Sequence, residues 1–343
     1  MKIIFTLLLI SFVFSVYAQT LERKAWLGVR FEPYAQEEIA GLKVISVLGG
    51  TGSELNLTEG DILLELDGFA VKDIISLQKI VRDKVEGNSL QAIVYRNDEK
   101  INLTGKYAGR PFETHENSEV IYDSQQYKEG LLRVIINKPF YEDKMPAMLF
   151  IPGYTCSSID NLASNHPYKR IIDAFVNAGY VTLRIEKSGL GDSKNTPECE
   201  SCDLVDEVEN FEAGLLKLKS LPYVDTNKII IAGHSMGGII APAISANHNV
   251  AGVIVYGTSA KSWFEYIIEM HRVQNHLAGM DPIEHEKSVR DQYDLNYRFY
   301  VKKESLEEIA NTTEADSILR TTWEYDGKGR IFSRNAEYWR QIQ

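Results

Sequence analysis

Hydrophobic and polar positions along the chain form two patterns, one on each side of a short polar segment. From about residue 25 to residue 107, short alternating runs separated by turn residues predict strands, and apolar residues at helical spacing predict one helix over 73–85. From about residue 118 to residue 257, apolar strand-like runs alternate with helical stretches. That alternation predicts a parallel sheet flanked by helices.

The first region is predicted to contain four strands besides the helix. They are Leu42–Leu48, Asp61–Gly68, Leu90–Asn97 and Glu99–Tyr107. The last two are predicted to pair as a hairpin that turns at Asn97-Asp98. The polar segment 108–117 contains Gly109-Arg110-Pro111, which is typical of a linker between domains.

The second region begins with a predicted hairpin and continues with alternating strands and helices. Strands are predicted at 119–124, 130–139, 146–153, 180–186, 228–233 and 250–257, and helices at 168–179, 203–221 and 237–247. Asp203 is placed to cap the second of these helices. After Gly257 the alternation stops, and the remaining residues are rich in aromatic side chains and mostly helical in pattern.

The first residues of the chain have the pattern of an export signal. Lys2 provides a positive start, Ile3–Phe14 an apolar stretch, and Ala18 a small residue before a cleavage site at Gln19. A membrane anchor is the alternative, but Ile3–Phe14 is shorter than the roughly 20 residues that span a bilayer. We therefore expect residues 1–18 to be a cleaved signal peptide and the protein to be periplasmic or secreted.

Length and charge exclude some classes of function. The 343 residues are enough for two domains, each with its own core. The 48 acidic and 37 basic residues give a net charge of −11, which disfavours nucleic-acid binding because phosphate contacts need a basic surface. We expect no nucleic-acid partner and, after signal cleavage, no segment integral to a membrane.

Two stretches of the first region carry a family resemblance. AWLGVRFE (Ala25–Glu32) and GSELNLTEGDILLELDGFAV (Gly52–Val71) resemble a PDZ domain of the bacterial protease-associated type, over residues 25–107. In that family a loop of the form x-Leu-Gly-aliphatic precedes the strand that borders the peptide groove. The residues in that loop here are Trp26, Leu27, Gly28 and Val29. The resemblance implies a small α+β domain whose loop N–H groups bind a peptide C-terminus while the peptide adds a strand to the sheet.

The stretch IIIAGHSMGG (Ile229–Gly238) has the form Gly-x-Ser-x-Gly, with Ser235 at its centre. A predicted buried strand leads into it and a predicted helix of small residues leaves it, which is the context of a nucleophile elbow. This part of the chain resembles the α/β hydrolases, serine aminopeptidases and esterases among them. The resemblance implies an α/β-hydrolase domain over 118–343, doubly wound around a mostly parallel sheet that is incomplete at the C-terminus, with Ser235 as nucleophile.

Two further stretches carry the same resemblance. FIPGYTCSS (Phe150–Ser158) is similar to the family's oxyanion loop after the third strand, so the backbone N–H groups of Tyr154 and Met236 are implied to form the oxyanion hole. RIEKSGLGDSKN resembles the loop after the fourth strand, with Glu186 where aspartate is common. We expect His234 to point away from Ser235, and therefore not to be its base.

The acid and the base of a triad are not found after Ser235. The family's order along the chain is serine, acid, histidine. The later histidines are His248, His271, His276 and His285, and neither they nor the later aspartates follow a predicted strand. We interpret residues 258–343 as lid-like helices of a C-terminally incomplete hydrolase domain, with the acid and the histidine beyond Gln343.

Three cysteines in an exported protein raise the question of their pairing. Cys199 and Cys202 have the spacing of a redox motif but lack its strand and helix context. In the topology implied by the resemblance, Cys156 follows one strand, and Cys199 and Cys202 follow its neighbour. We predict a disulfide from Cys156 to either Cys199 or Cys202, pinning the oxyanion loop. A zinc site would lack a fourth ligand, so no metal is expected.

The sequence therefore predicts an exported serine hydrolase that acts on carboxylic esters or peptides, with a PDZ module for a peptide or protein partner. Ser235 would attack, the amides of Tyr154 and Met236 would hold the oxyanion, and water would release the acyl group. No cofactor is expected. The alternative is a non-catalytic peptide-binding protein with a degenerate hydrolase fold.

Overall fold

The computed structural model describes residues 21–36 and 39–343. The predicted signal peptide, residues 1–18, lies outside the described residues. Two six-stranded sheets, each with its own hydrophobic core, organise the described part of the chain. No helix within those two ranges is long and apolar enough to cross a membrane.

The N-terminal region forms one antiparallel sheet with two helices. Its elements are β1 (Val29–Gln36), β2 (Ile39–Val47), α1 (Gly50–Glu54), β3 (Ile62–Leu66), β4 (Phe69–Ala70), α2 (Ile74–Val81), β5 (Ser89–Arg96) and β6 (Glu99–Lys106). The strand order is β1-β2-β3-β5-β6, with β4 paired to β3, so β1 lies at an edge. The helix α2 ends before the predicted residue 85 because Val85 instead forms a β-bridge with Lys24.

The predicted hairpin at Asn97-Asp98 is confirmed. Strands β5 and β6 pair antiparallel up to Arg96 and Glu99, so that a two-residue turn joins them. Asn97 and Asp98 have φ angles of 52° and 64°. Positive φ at both central residues is what a type I′ turn requires, and Asn and Asp tolerate it better than other side chains.

The second region forms a mixed sheet in which four neighbouring strands are parallel. Its elements are β7 (Ser118–Tyr127), β8 (Gly130–Pro139), β9 (Met145–Ile151), α3 (Pro167–Asn177), β10 (Val181–Ile185), α4 (Leu204–Ser220), β11 (Val224–His234), α5 (Gly237–Asn247) and β12 (Gly252–Tyr256). The order is β12-β11-β9-β10-β8-β7, and β9 to β12 run parallel, as predicted. Their carboxyl ends therefore share one edge, where open α/β sheets bind ligands.

Helices cover both faces of this sheet. Met148 and Phe150 of β9 pack against α3, whereas Leu149 and Ile151 lie in the larger core with α4 and α5. Alternate side chains of a strand point to opposite faces, so a strand that is apolar throughout requires cover on both sides. The helix α4 begins at the predicted cap, where Asp203 accepts a hydrogen bond from the Asp206 N–H.

The last part of the chain is mainly helical, as its pattern predicts. Its elements are α6 (Trp263–Leu277), α7 (Pro282–Asn296), a π-helical turn (Tyr297–Val301), α8 (Leu306–Ile309), α9 (Thr313–Thr322), β13 (Arg330–Ile331), β14 (Arg334–Asn335) and α10 (Ala336–Arg340). The hairpin β13–β14 was not predicted, because two-residue strands leave no period to detect. Phe299, Trp323 and Trp339 are buried in the same core as β9 and β11. This part of the chain therefore completes the core in addition to covering it.

Segments on both sides of the N-terminal sheet pack against the second region. Arg23 is 4% exposed, and its guanidinium lies 2.9 Å from Asp160 and 2.5 Å from Asp192. Glu113, within the segment 108–117, pairs with buried Arg184 at 2.8 Å. The segment with the composition of a linker is thus fastened to the second sheet, because the charges it carries find partners there.

Candidate active site

Ser235 lies at the turn between β11 and α5, at the carboxyl edge of the parallel strands. Its φ angle is 53°, in the left-handed region that residues other than glycine seldom adopt. The Ser235 N–H donates to the Tyr256 carbonyl at 3.1 Å, which ties the turn to β12. Strand, strained turn and helix together are the structural context that the Gly-x-Ser-x-Gly motif needs.

Two glycines permit this turn. A Cβ on Gly233 would lie 2.1 Å from the Gly237 carbonyl oxygen, and a Cβ on Gly237 would lie 2.3 Å from the Ile151 carbonyl oxygen. Both distances are far below van der Waals contact, so any larger residue would force β11, α5 and the end of β9 apart. The motif's glycines are therefore required by backbone packing.

The predicted oxyanion loop passes directly beside Ser235. It leaves β9 at Ile151, and a Cβ on Gly153 would lie only 3.3 Å from the Ser235 Cβ. Within residues 21–36 and 39–343, neither the Tyr154 N–H nor the Met236 N–H donates a hydrogen bond. Met236 directly precedes α5, at the helix N-terminus where unpaired N–H groups and the helix dipole favour negative charge. The structure thus leaves two backbone donors free, one directly after Ser235 in the chain and one on the loop that passes beside it.

Side chains fix the loop from both faces. The Gly153 N–H donates to the Tyr168 hydroxyl oxygen at 3.2 Å, and its carbonyl oxygen accepts from Lys187 Nζ at 2.6 Å. The Tyr154 carbonyl oxygen accepts from Arg334 Nη1 at 3.2 Å. Neither cation was predicted from the sequence. Lys187 had a weak sequence signal, because the charged pair Glu186 and Lys187 directly follows an apolar strand. Arg334 had no sequence signal, because 180 residues separate it from Tyr154.

A disulfide joins the same loop to the segment before α4. Cys156 and Cys199 are linked, with 5.8 Å between their Cα atoms, and this is one of the two pairings that the sequence left open. Cys202 is a free, buried thiol. Arg334 Nη1 lies 3.5 Å from the Cys156 sulfur and 3.2 Å from the Cys199 sulfur. The loop is therefore held covalently as well as by hydrogen bonds.

No histidine in the described ranges hydrogen-bonds Ser235. His234 shares a hydrogen bond of 2.7 Å between Nδ1 and the Tyr168 hydroxyl, and its ring packs on Tyr256. His248 pairs with Glu212 at the end of α5. Burial lowers the pKa of His271, in the middle of α6. Among the described residues the Ser235 hydroxyl makes no hydrogen bond, so none of these histidines is its partner.

Residues 164–294 match the dienelactone hydrolase family. The second domain has an α/β-hydrolase-like fold. A curated relative, the quorum-quenching protein AidA of Acinetobacter baumannii (strain MDR-ZJ06), is 30% identical over 83 residues, which cover 24% of this chain and 27% of that protein. The chain therefore spans about a quarter of the length of this relative.

Two solved structures are similar to the chain over nearly half of its length. The α/β hydrolase GrgF from Penicillium sp. sh18 is 21% identical over 48% of this chain and 56% of its own, with a TM-score of 0.35. Est1E from Butyrivibrio proteoclasticus is 21% identical over 45% of this chain and 55% of its own, with a TM-score of 0.33.

A cavity of about 350 Å³ opens beside the predicted oxyanion loop of this α/β-hydrolase-like domain. Its lining is mostly aromatic and small polar side chains: Pro152, Thr155, Ser157, Ser158, Ile159, Leu162, His166, Pro167, Tyr168, His234 and Tyr256. A cavity of this size is typical of sites for small organic ligands. No group of three His, Cys, Asp or Glu side chains that could hold a metal ion occurs in the part of the chain that is described.

Glu186 is fully buried and accepts hydrogen bonds from the loop that lines this cavity. Burial raises the pKa of its carboxyl to about 7 from an ordinary value of 4.5, although two donors oppose that shift. The donors are the Ser158 hydroxyl and the Ile159 N–H, both on the loop that lines the cavity. Glu186 therefore holds the cavity loop to the end of β10.

The predicted peptide-binding loop has free donors beside an open strand edge. The carbonyls of Trp26, Leu27 and Gly28 accept hydrogen bonds from Thr51, Gly52 and Leu48, at 3.0, 2.8 and 2.7 Å. The N–H groups of Leu27 and Gly28 donate none within the described ranges. Gly28 has a φ of 64°, and the following strand β1 is at the sheet edge. Successive free N–H groups in such a turn suit an anion.

Proposed function

We propose that the protein is an exported serine hydrolase that cleaves small carboxylic esters through an acyl-enzyme at Ser235. The observation that carries the proposal is the strained turn at Ser235 beside two unpaired backbone donors, Tyr154 N–H and Met236 N–H. Such donors stabilise the oxyanion of a tetrahedral intermediate, and deleting one costs roughly 2.7–4 kcal/mol in known cases. The similarity of residues 164–294 to the dienelactone hydrolase family favours esters, lactones among them, over peptides.

The reaction would proceed in two steps. The Ser235 hydroxyl attacks the ester carbonyl carbon, its proton passes to a base, and the alcohol leaves to give an acyl-serine. Water then attacks the acyl-serine and restores the hydroxyl. No histidine of residues 21–36 and 39–343 hydrogen-bonds Ser235, so we assign the role of the base to no residue.

A fluorophosphonate probe tests this proposal, because it reacts only with activated serines. We expect labelling of the wild-type chain and none of Ser235→Ala. Turnover of p-nitrophenyl acetate is compared with that of an aminoacyl p-nitroanilide, and faster ester cleavage is expected. A folded wild-type chain that takes up no probe would overturn the proposal and favour the non-catalytic alternative.

We also propose that the N-terminal domain is a PDZ-like module that binds a peptide C-terminus. The support is the pair of free N–H groups at Leu27 and Gly28 next to the unpaired edge of β1. The peptide would add a strand to β1 while its carboxylate lies in the turn. Fluorescence anisotropy with an apolar peptide should show binding, and amidation of the peptide C-terminus should weaken it at least about 10-fold. Equal affinity for both peptides would contradict this mode.

Export remains part of the proposal, with residues 1–18 as the signal. The Cys156–Cys199 disulfide supports it, since disulfides persist in oxidising compartments and are rare in the cytosol. N-terminal sequencing of the protein from its native host should begin at Gln19. A mature protein that retains residues 1–18 would count against the cleaved signal.

A further inference from the structure

The Gly153–Tyr154 peptide group is held from one side only. Its carbonyl oxygen accepts a hydrogen bond from Lys187 Nζ at 2.6 Å, whereas its N–H, that of Tyr154, is unpaired in the described part of the chain. The C=O and N–H of a trans peptide point in opposite directions within one plane. A donor that fixes the carbonyl therefore also fixes the direction of the N–H.

Lys187 belongs to a buried group of three charges behind the loop. Its ammonium forms an ion pair with Glu207, and Glu207 Oε2 pairs with Arg334 Nη2 at 2.7 Å. The side chains of Lys187, Glu207 and Arg334 are 4%, 2% and 1% exposed. Arg334 donates in turn to the Tyr154 carbonyl. Two cations thus hold two successive carbonyls of the loop, and one carboxylate connects the cations.

Such a buried group of charges contributes little net free energy to the stability of a fold. Buried ion triads can often be replaced by apolar side chains with no loss of stability, because desolvation offsets their attraction. The same low dielectric strengthens a hydrogen bond and lets bonded groups polarise one another. A cation on the Gly153 carbonyl therefore makes the Tyr154 N–H a stronger donor. The net charge of the group, two cations with one anion, has the sign that favours a nearby oxyanion.

We propose that Lys187 is a positioning residue for acyl transfer: its hydrogen bond to the Gly153 carbonyl aims the Tyr154 N–H at the substrate oxyanion that forms when Ser235 attacks the ester. Glu207 and Arg334 hold the ammonium at that carbonyl. This inference rests on the proposed function, since it assigns a role within the same site. Lys187 itself touches neither the serine nor the substrate.

Steady-state kinetics with p-nitrophenyl acetate test the role. In Lys187→Met we expect kcat to fall about 10- to 100-fold with KM little changed. A misdirected Tyr154 N–H would stabilise the transition state less, but it would hardly affect binding of the ester. Lys187→Arg keeps a cationic donor and should recover part of the rate. The matched control is Lys217→Met, which removes a lysine of the same domain that pairs with Asp123 at 2.5 Å. The control should retain the wild-type rate.

A second variant keeps the test valid if Lys187→Met does not fold. Lys187→Met combined with Glu207→Leu and Arg334→Met removes the whole triad, leaves no buried charge unpaired and should fold cooperatively. It should show the same loss of kcat as Lys187→Met. A wild-type kcat in either folded variant would overturn the proposal.

A structural readout separates this inference from the proposed function. In protein labelled with 15N-tyrosine, the Tyr154 amide resonance should shift in Lys187→Met and not in Lys217→Met. An unchanged resonance would refute the positioning role. Lack of reaction of the wild type with the ester would count against the proposed function alone, because the amide resonance still reports whether Lys187 orients the peptide.

Discussion

At the scale of single residues, the turn at Ser235 requires glycines without side chains at Gly233 and Gly237 as much as it requires the serine. The loop at Gly153, the turn at Ser235 and the start of α5 meet so closely that three backbones share the space of ordinary side chains. Residues that a motif fixes for such steric reasons have large effects on stability when they are replaced. Glycines in open positions of the same sheet do not.

Replacement of Gly237 by alanine should destabilise the hydrolase domain by about 3 kcal/mol or more, since the new Cβ would lie 2.3 Å from the Ile151 carbonyl oxygen. The control is Gly252→Ala in β12, where nothing lies within 4 Å of the added Cβ. That variant should stay within about 1 kcal/mol of wild type. Urea unfolding of both measures the difference, and equal stabilities would contradict the steric argument.

The buried carboxyl of Glu186 should make stability depend on pH. Its folded pKa of about 7 lies above the ordinary value of 4.5, so between these values the folded state keeps a proton that the unfolded state has lost. Stability from this group is therefore full below pH 4.5 and is lost as the pH rises through about 7. Each pKa unit corresponds to about 1.4 kcal/mol.

Glu186→Gln provides the measurement of that effect. The amide keeps the acceptor for the Ser158 hydroxyl but does not titrate. Urea unfolding across pH 4.5 to 8 should show a smaller fall in stability for the variant than for wild type. Parallel curves for the two proteins would show that Glu186 contributes nothing to the pH dependence.

At the scale of elements, the disulfide connects the predicted oxyanion loop after β9 to the short helical turn before α4. The two cysteines are 43 residues apart, and the chain between them includes α3 and β10. A cross-link over such a loop lowers the entropy of the unfolded chain. It also ties the loop to the segment that leads from β10 to α4.

Removal of the cross-link in Cys156→Ser with Cys199→Ser should lower the free energy of unfolding by about 2–4 kcal/mol, according to the chain-entropy account of loop closure. Cys202→Ala is the control, because Cys202 is a free thiol and its loss opens no loop. Chemical denaturation under non-reducing conditions compares the three proteins. A smaller loss in the double variant than in the control would contradict the assigned pairing.

Elements were the part of this protein that the sequence predicted best. The alternation of apolar runs and helical stretches from 118 to 257 identified each parallel strand, and Asp203 marked the start of α4 because its capping chemistry is local. The buried charges were not predictable in the same way. Lys187, Glu207 and Arg334 meet only after three distant segments fold together, and no local period records such a contact.

The candidate site was predictable to the same extent. Ser235, Tyr154 and Met236 stand in motifs whose spacing fixes the local backbone, so their neighbourhood followed from the chain. The side chains that hold the loop, Tyr168 and Arg334, come from elements that the motifs do not include. The family resemblance predicted the backbone donors. The side chains that hold the loop in place could be identified only from the folded structure.

At the scale of the whole molecule, charges that differ greatly in burial fasten the N-terminal domain, and the segment that leads into it, to the second domain. Arg23 pairs with Asp160 and Asp192 through a side chain that is 3% exposed, and its guanidinium also packs against the rings of Phe112 and Tyr122. A second pair, Arg82 with Glu198, crosses the same boundary, but both side chains are more than half exposed. The first contact should dominate domain association.

Arg23→Met should destabilise the assembled chain by about 3–5 kcal/mol, since it removes the cation that pairs with buried Asp160, whereas Asp192 keeps its pair with Arg133. Arg82→Ala should cost no more than about 1 kcal/mol, as exposed pairs do. Scanning calorimetry should resolve separate transitions of the two domains in the first variant only. A single unchanged transition in Arg23→Met would show that the domains are coupled by other contacts.

The β-bridge between Ala25 and Gly109 has a practical consequence for dissecting the protein. The chain enters and leaves the N-terminal domain at this bridge, where Trp26 N–H also donates to the Ala108 carbonyl at 2.9 Å. Opposed residues in an antiparallel bridge have Cα atoms about 5 Å apart. The two ends of the N-terminal domain are therefore adjacent. A linker of two or three glycines could replace the whole domain and would leave Arg23 and Glu113 at their sites on the second domain.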